Sequence, residues 1–74
     1  MYSYETIYGV FSIVEDPRGW YALFLNEEKL GSYPSPRSAA ETVSSQSTGS
    51  AAWDLQQDAF VPPDLSEWSK TYSR

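Results

Sequence analysis

The sequence contains neither cysteine nor histidine. The first absence excludes disulfide scaffolds, thiolate zinc sites and cysteine nucleophiles. The second excludes Ser-His-Asp triads and imidazole pH switches. Because most of the chemistry available to small sites is thereby removed, we expect a non-catalytic protein with no cofactor and no metal.

Basic residues are also few, since 5 Lys and Arg stand against 10 Asp and Glu and the net charge is −5. Phosphate backbones and anionic lipid surfaces bind clusters of Lys and Arg. The sequence has no run of about 18 apolar residues, and its first residues lack the basic and apolar regions of a signal peptide. We therefore expect no nucleic-acid or membrane partner, and a cytoplasmic location.

What the sequence does contain is typical of a folded chain: 41% of its 74 residues are hydrophobic and 16% are aromatic. Two domains would leave each half too short to bury a core, so residues 1–74 are predicted to form a single small domain. The predicted class is α+β. It comprises a three-stranded antiparallel meander over 4–33, one main helix over 35–47 packed on one face, and an irregular Trp-containing tail over 50–74.

Two polar clusters divide the meander into strands. Asp16-Pro17-Arg18-Gly19 predicts a three-residue hairpin loop, with a positive φ at its glycine, that pairs Asp16 with Trp20. Asn26-Glu27-Glu28-Lys29 predicts a four-residue loop that places Leu30 opposite Leu25.

The register counted from the first loop assigns the strand residues to two faces. One face is mainly aliphatic and carries Ile7, Phe11, Ile13, Tyr21, Leu23 and Leu25. The other is richer in aromatic residues and carries Tyr4, Tyr8, Val10, Val14, Trp20, Ala22 and Phe24.

Ser35-Pro36 is a helix start signal, with Ser35 as the N-cap residue and proline at the first helical position. Small apolar residues at Ala39, Ala40 and Val43 indicate that the helix packs closely on the aliphatic face. Gly49 lies where the C-terminal stop is expected.

The tail keeps large apolar residues without regular periodicity. Pro62-Pro63 excludes regular structure there, and Asp64-Leu65-Ser66-Glu67 matches a capping box at the start of a short helical turn. We expect the tail to cover the aromatic face with its large side chains, which are Trp53, Phe60, Leu65 and Trp68.

No catalytic residue is predicted. The pairs Glu27-Glu28 and Glu15-Asp16 lie in or beside turns, where carboxylates point into water and do not share a cleft. The segment Ser66–Lys70 lacks the serine–lysine spacing of an activated nucleophile, and the isolated glycines form no phosphate-binding motif.

The aromatic face is the one predicted feature suited to recognition, and its candidate interaction surface is Tyr4, Tyr8, Trp20, Phe24 and Tyr33. These residues predict a small acidic protein-binding or accessory module whose partner is another protein or a second copy of the chain. Two alternatives stay open. One is an acidic inhibitor that mimics nucleic acid, and the other is a small hydrolase, which would need a buried carboxylate with a raised pKa.

Several short segments together resemble small uncharacterised bacterial proteins. These segments are Gly19-Trp20-Tyr21, the run from Leu30 to Ala40 that contains Leu30-Gly31-Ser32-Tyr33 and Ser35-Pro36, Trp53-Asp54, and Leu65 with Trp68. The resemblance spans most of the chain and implies no activity.

Overall fold

The computed structural model describes residues 1–57 and 59–70. Within these ranges the α+β class is confirmed, but the antiparallel sheet has five strands where three were predicted. The strands are β1 (Tyr2–Thr6), β2 (Gly9–Glu15), β3 (Tyr21–Leu25), β4 (Glu28–Tyr33) and β5 (Ser69–Lys70), in the order β4-β3-β2-β1-β5. The helical elements are α1 (Pro36–Ser44), the single turn α2 (Ala51–Asp54) and a 3₁₀ turn (Leu65–Glu67).

One additional strand results from a tight turn at Ile7 and Tyr8 that the sequence pattern did not reveal. Thr6 pairs with Gly9 across this turn. The Thr6 hydroxyl donates to the Gly9 carbonyl oxygen at 2.8 Å and accepts from the Tyr8 N–H at 3.0 Å. Gly9 has a φ of 134°, which glycine alone adopts readily. What reads as one long strand is therefore a hairpin.

This hairpin corrects part of the predicted face assignment. Tyr4 pairs with Phe11, so Tyr4 lies on the core face instead of beside Trp20 and Phe24. Ile7 leaves the sheet and is 92% exposed at the tip of the turn. Register counting fails across an unrecognised turn because every residue before it changes face.

The second turn forms as predicted. Gly19 has a φ of 86°, and the Asp16 N–H donates to the Trp20 carbonyl oxygen at 2.8 Å. The Asp16 carboxylate also accepts from the Arg18 N–H at 2.8 Å and from the Trp20 N–H at 3.0 Å. A local sequence motif therefore determines this loop and the pairing of β2 with β3.

The third turn is shorter than predicted. Leu25 pairs with Glu28 across Asn26 and Glu27, and Asn26 has a positive φ of 56°. The register of β3 and β4 shifts at Leu23/Phe24, so that Leu30 is an extra residue on β4. Leu30 packs partly buried against the core, although it does not pair with Leu25.

Helix α1 begins at the predicted cap, where the Ser38 N–H donates to Ser35 Oγ at 3.1 Å. It ends at Ser44, well before Gly49, because Gln46 turns left-handed with a φ of 56°. The Gln46 amide then donates to the carbonyl oxygens of Trp53 and Gln56. This side chain joins the end of α1 to α2.

The tail packs on the same face of the sheet as α1, and the predicted placement on the opposite face is wrong. One buried cluster contains residues of the sheet, the helix and the tail: Phe11, Ile13, Leu23, Leu25, Ala39, Ala40, Val43, Trp53, Val61 and Trp68. Helix α1 has nine residues and lies against β3 and β4. Because so short a helix covers only that half of the sheet, the large tail side chains fill the space over β1 and β2.

Both tail tryptophans bury their rings and satisfy their indole N–H groups. Trp53 is 0% exposed and donates to the Val43 carbonyl oxygen at 2.9 Å. Trp68 is 5% exposed and donates to the Pro62 carbonyl oxygen at 2.9 Å. After Trp68 the chain forms β5, which pairs with Tyr2 and Ser3 of β1.

Among the residues described, no helix is both long enough and apolar enough to cross a membrane.

Candidate protein-interaction surface

The candidate interaction surface does not stay together in the folded chain. Tyr4 and Tyr8 lie on the core side, with ring centroids 5.6 Å from Trp68 and 5.8 Å from Trp53 respectively. Tyr33 also packs against the core from β4. The remaining members, Trp20 and Phe24, are on the opposite face of the sheet. The predicted surface is therefore divided between two separate surfaces of the folded chain.

The first surface is the opposite face of the sheet, on which the described part of the chain places no helix. Trp20 is 45% exposed, Val14 is 36% exposed, and Phe24 is partly buried. Ala22 lies between Val14 and Ser32 of the neighbouring strands and is buried. This face is a modest apolar strip.

The second surface is a groove of about 360 Å³ beside β1. It is lined by the end of β1, the first turn and the tail, and we refer to it as the β1 groove: Tyr4, Glu5, Thr6, Ile7, Tyr8, Trp53, Ala59 and Phe60. Trp53 is fully buried, while Ile7 and Phe60 are 92% and 71% exposed. The groove therefore has an aromatic side wall and exposed apolar residues in its lining.

Sequence reasoning found Tyr4 and Tyr8 as candidates but missed the contribution of Ile7 and Phe60. The register counted from the sequence places Ile7 on the buried aliphatic face, and the predicted cover of the aromatic face includes Phe60. A glycine inside an apolar run is a recognised signal of a turn or bulge, so Gly9 could have placed Ile7 at a hairpin tip. No local signal connects Ile7 with Phe60, which is distant in the chain.

The backbone of β2 shows which of its groups face each neighbouring strand. The Asn26 N–H donates to the Val10 carbonyl oxygen at 2.8 Å, and the Asp16 N–H donates to the Trp20 carbonyl oxygen at 2.8 Å. Successive residues of a strand direct their N–H and C=O groups to alternate sides. The even-numbered residues of β2 therefore bond to β3, and the odd-numbered residues bond to β1.

This alternation identifies an unpaired segment on the outer edge of β1. Tyr4 pairs with the odd-numbered Phe11, so the N–H and C=O of Tyr4 face β2 and those of Glu5 face outward. β5 pairs with β1 at Tyr2 and Ser3 and does not reach Glu5. No residue that the structure describes bonds to the outward backbone groups of Glu5. Glu5 is also one of the residues that line the β1 groove.

A second cleft, of about 440 Å³ and with several charged residues, is lined by Arg37, Glu41, Pro63, Asp64 and Leu65. Arg37 Nε lies 3.3 Å from Glu41 Oε2, so the cation already has a partner. The Ser66 N–H donates to Asp64 at 3.0 Å, and this bond lowers the pKa of the Asp64 carboxyl. An exposed carboxylate held in its ionised form is suited to capping the 3₁₀ turn and is a poor proton donor at neutral pH.

Within residues 1–57 and 59–70, no group of three or more Asp, Glu, His or Cys side chains could hold a metal ion. Comparison with protein-family models, with curated proteins and with solved structures finds no match to this chain.

Proposed function

We propose that this chain is a small non-catalytic protein-binding module and that its partner docks in the β1 groove. The observation that carries the proposal is the pair of exposed apolar side chains, Ile7 and Phe60, in the lining of this groove. Its aromatic wall consists of the buried Trp53 and the partly buried Tyr4 and Tyr8. Both side chains stay largely exposed to water in the folded chain, so burial in the core does not account for their apolar character.

The composition of the groove favours a protein over other classes of ligand. Aromatic and aliphatic side chains that remain partly exposed are typical of the centre of protein interfaces. Glu5 is the charged residue among the described residues that line the groove, and the whole chain has a net charge of −5. This charge opposes binding of nucleic acid and of anionic lipid.

Site-specific photo-crosslinking in the source organism tests the proposal. A photoreactive amino acid is placed at position 7 or at position 60, and each is expected to give an adduct of the same mass. Excess unlabelled wild-type protein should compete for this adduct, whereas an Ile7→Ser/Phe60→Ser double variant should not.

Leu55→Ser provides the matched control, because Leu55 is 75% exposed but does not line the β1 groove. This variant should compete as well as the wild type. Adducts that form only from position 20 would assign the partner to the opposite face of the sheet, and equal competition by the double variant would contradict docking in the groove.

A further inference from the structure

We propose that the β1 groove binds its partner by strand addition, taking up an extended segment in which a basic residue stands next to a large apolar residue. This inference rests on the proposed protein-binding function and specifies its geometry. It combines three observations: an unpaired backbone segment, the alternation of side chains on β1, and the charge of the chain.

The backbone supplies the first observation. The outward N–H and C=O of Glu5 form one donor–acceptor pair at the edge of the sheet, immediately beyond the last pairing of β5, Ser3 with Ser69. A segment that lies about 4.8 Å from β1 would form both hydrogen bonds with this pair. Strand addition at an exposed edge uses main-chain bonds for affinity and side-chain pockets for specificity.

The alternation of side chains supplies the second observation. The Glu5 side chain is exposed, and Glu5 pairs with Val10 on the face opposite the core. In an added strand, the residue directly opposite Glu5 places its side chain on that same face, and its neighbour opposite Thr6 points to the core side. The core side of the groove contains Tyr8 and Trp53. A basic residue therefore suits the position opposite Glu5, and a large apolar residue suits the position opposite Thr6.

Charge supplies the third observation and argues against a second copy of this chain as the occupant. None of its basic residues lies beside a large apolar residue except Lys29, which is followed by Leu30 but preceded by Glu28. Glu28 would approach the groove of an already acidic molecule together with Lys29. The preferred occupant is therefore a different protein with a basic extended segment.

The test uses a capped seven-residue peptide that alternates leucine and lysine, added to the full chain at about 150 mM salt and followed by amide NMR shifts. Two peptides serve as controls. In one, the lysines are replaced by glutamate. In the other, the backbone amide nitrogen of each lysine is methylated, which removes the N–H that would donate to β1. We expect the first peptide to shift the amides of Glu5, Thr6 and Tyr8, and we expect both controls to bind at least about ten-fold more weakly.

Two substitutions at one position separate the role of charge from that of the backbone. Glu5→Gln removes the charge and keeps the N–H, so binding should weaken about two-fold to five-fold, as for a surface ion pair. Glu5→Pro removes the outward N–H as well and leaves the bonds to β2 in place, because proline is tolerated where an edge strand faces solvent. It should weaken binding by a further factor of about ten.

Hydrogen exchange of the wild type keeps the test decisive if Glu5→Pro does not fold. The Glu5 amide should become protected when the peptide binds, while the Thr6 amide, which faces β2, should be protected with and without the peptide. Equal binding of the N-methylated peptide, or an unprotected Glu5 amide in the complex, would overturn strand addition. Peptide-free dimerisation that protects the Glu5 amide would overturn the choice of occupant. If the peptide neither bound nor protected the Glu5 amide while the crosslinks at positions 7 and 60 still formed, the protein-binding function would stand and strand addition would not.

Discussion

Two glycines differ sharply in what surrounds them, although both have a positive φ. At Gly9, with a φ of 134°, an added Cβ atom would stand 2.7 Å from Asn26 Nδ2. The Asn26 side chain cannot move away freely, because its Oδ1 accepts from the Val10 N–H at 3.0 Å. At Gly19, with a φ of 86°, an added Cβ would have no atom within 4 Å. A larger residue at position 9 therefore meets both backbone strain and a steric conflict, whereas a larger residue at position 19 meets backbone strain alone.

We expect Gly9→Ala to lower the free energy of unfolding by about 2–4 kcal/mol and Gly19→Ala to lower it by about 1 kcal/mol. Urea unfolding of the two variants beside the wild type measures both values. If the two substitutions had equal effects, the contact between residue 9 and Asn26 would not contribute.

At the scale of single elements, α1 depends on its cap and on its small apolar stripe. Its buried residues are Ala39, Ala40 and Val43, and it has no acidic residue in its first turn and no basic residue in its last. Charges therefore do not stabilise the helix ends through the helix dipole. The hydroxyl of Ser35 accordingly contributes a large share of the stability of the N-terminus.

Ser35→Ala should lower the free energy of unfolding by about 1 kcal/mol, because the Ser38 N–H loses its acceptor. Ser35→Asp is the matched control, since a carboxylate at this position accepts the same hydrogen bond and also suits the positive end of the helix. Thermal or urea unfolding compares the three proteins. A destabilising Ser35→Asp substitution would show that the cap acts through something other than this bond.

Helix α2 is a single turn that places Trp53 in the core. The Asp54 carboxylate accepts from the Thr48 N–H at 3.0 Å, the Thr48 hydroxyl at 2.8 Å and the Gly49 N–H at 2.8 Å. These bonds hold the loop that leads into α2. Trp53 then packs edge-on against Phe11, with ring centroids 4.9 Å apart.

We expect Trp53→Ala to lower the free energy of unfolding by about 3–5 kcal/mol. The substitution leaves a large cavity beside Phe11 and removes the indole N–H that donates to the Val43 carbonyl oxygen. Leu55→Ala, at a side chain that is 75% exposed, should change it by less than about 0.5 kcal/mol. Urea unfolding measures both. A small effect at Trp53 would mean that the tail does not contribute to the core.

At the scale of the whole molecule, the tail is part of the core and not an appendage to a complete domain. Trp53, Val61 and Trp68 belong to the same buried cluster as the sheet and α1, and β5 extends the sheet beyond β1. The half of the sheet formed by β1 and β2 receives its cover from these residues. Small domains have little stability to lose, because a few kcal/mol is a large fraction of their total.

Truncation after Gly49 should therefore abolish cooperative unfolding. The shortened chain would still contain the residues of β1 to β4 and of α1. It would expose Phe11 and Ile13, which are buried in the full chain. Near-UV circular dichroism and the dispersion of amide NMR signals report whether a fixed core persists. A truncated chain with a native-like spectrum would show that the sheet and α1 suffice.

The candidate site was predictable only in part. The sequence points to Tyr4 and Tyr8 because exposed aromatic residues are common at interfaces. The predicted register groups them with Trp20 and Phe24, and that register does not hold before Gly9. Ile7 has no pattern of its own that marks it as exposed. The outward backbone of Glu5 follows from strand order, which no short stretch of sequence specifies.

The sequence by itself determined the features that depend on neighbours in the chain: the Asp16–Gly19 loop, the Ser35 cap, and the shared face of Phe11, Ile13, Leu23 and Leu25. Each of these is set by dihedral preferences and hydrogen bonds within a few residues, or by the two-residue alternation of a strand. The tertiary structure alone decided the face that the tail covers, the pairing of β5 with β1, and the β1 groove between Ile7 and Phe60. These features depend on how much apolar area of the sheet a nine-residue helix leaves uncovered, and on which tail side chains fit that area. Only the folded chain defines both.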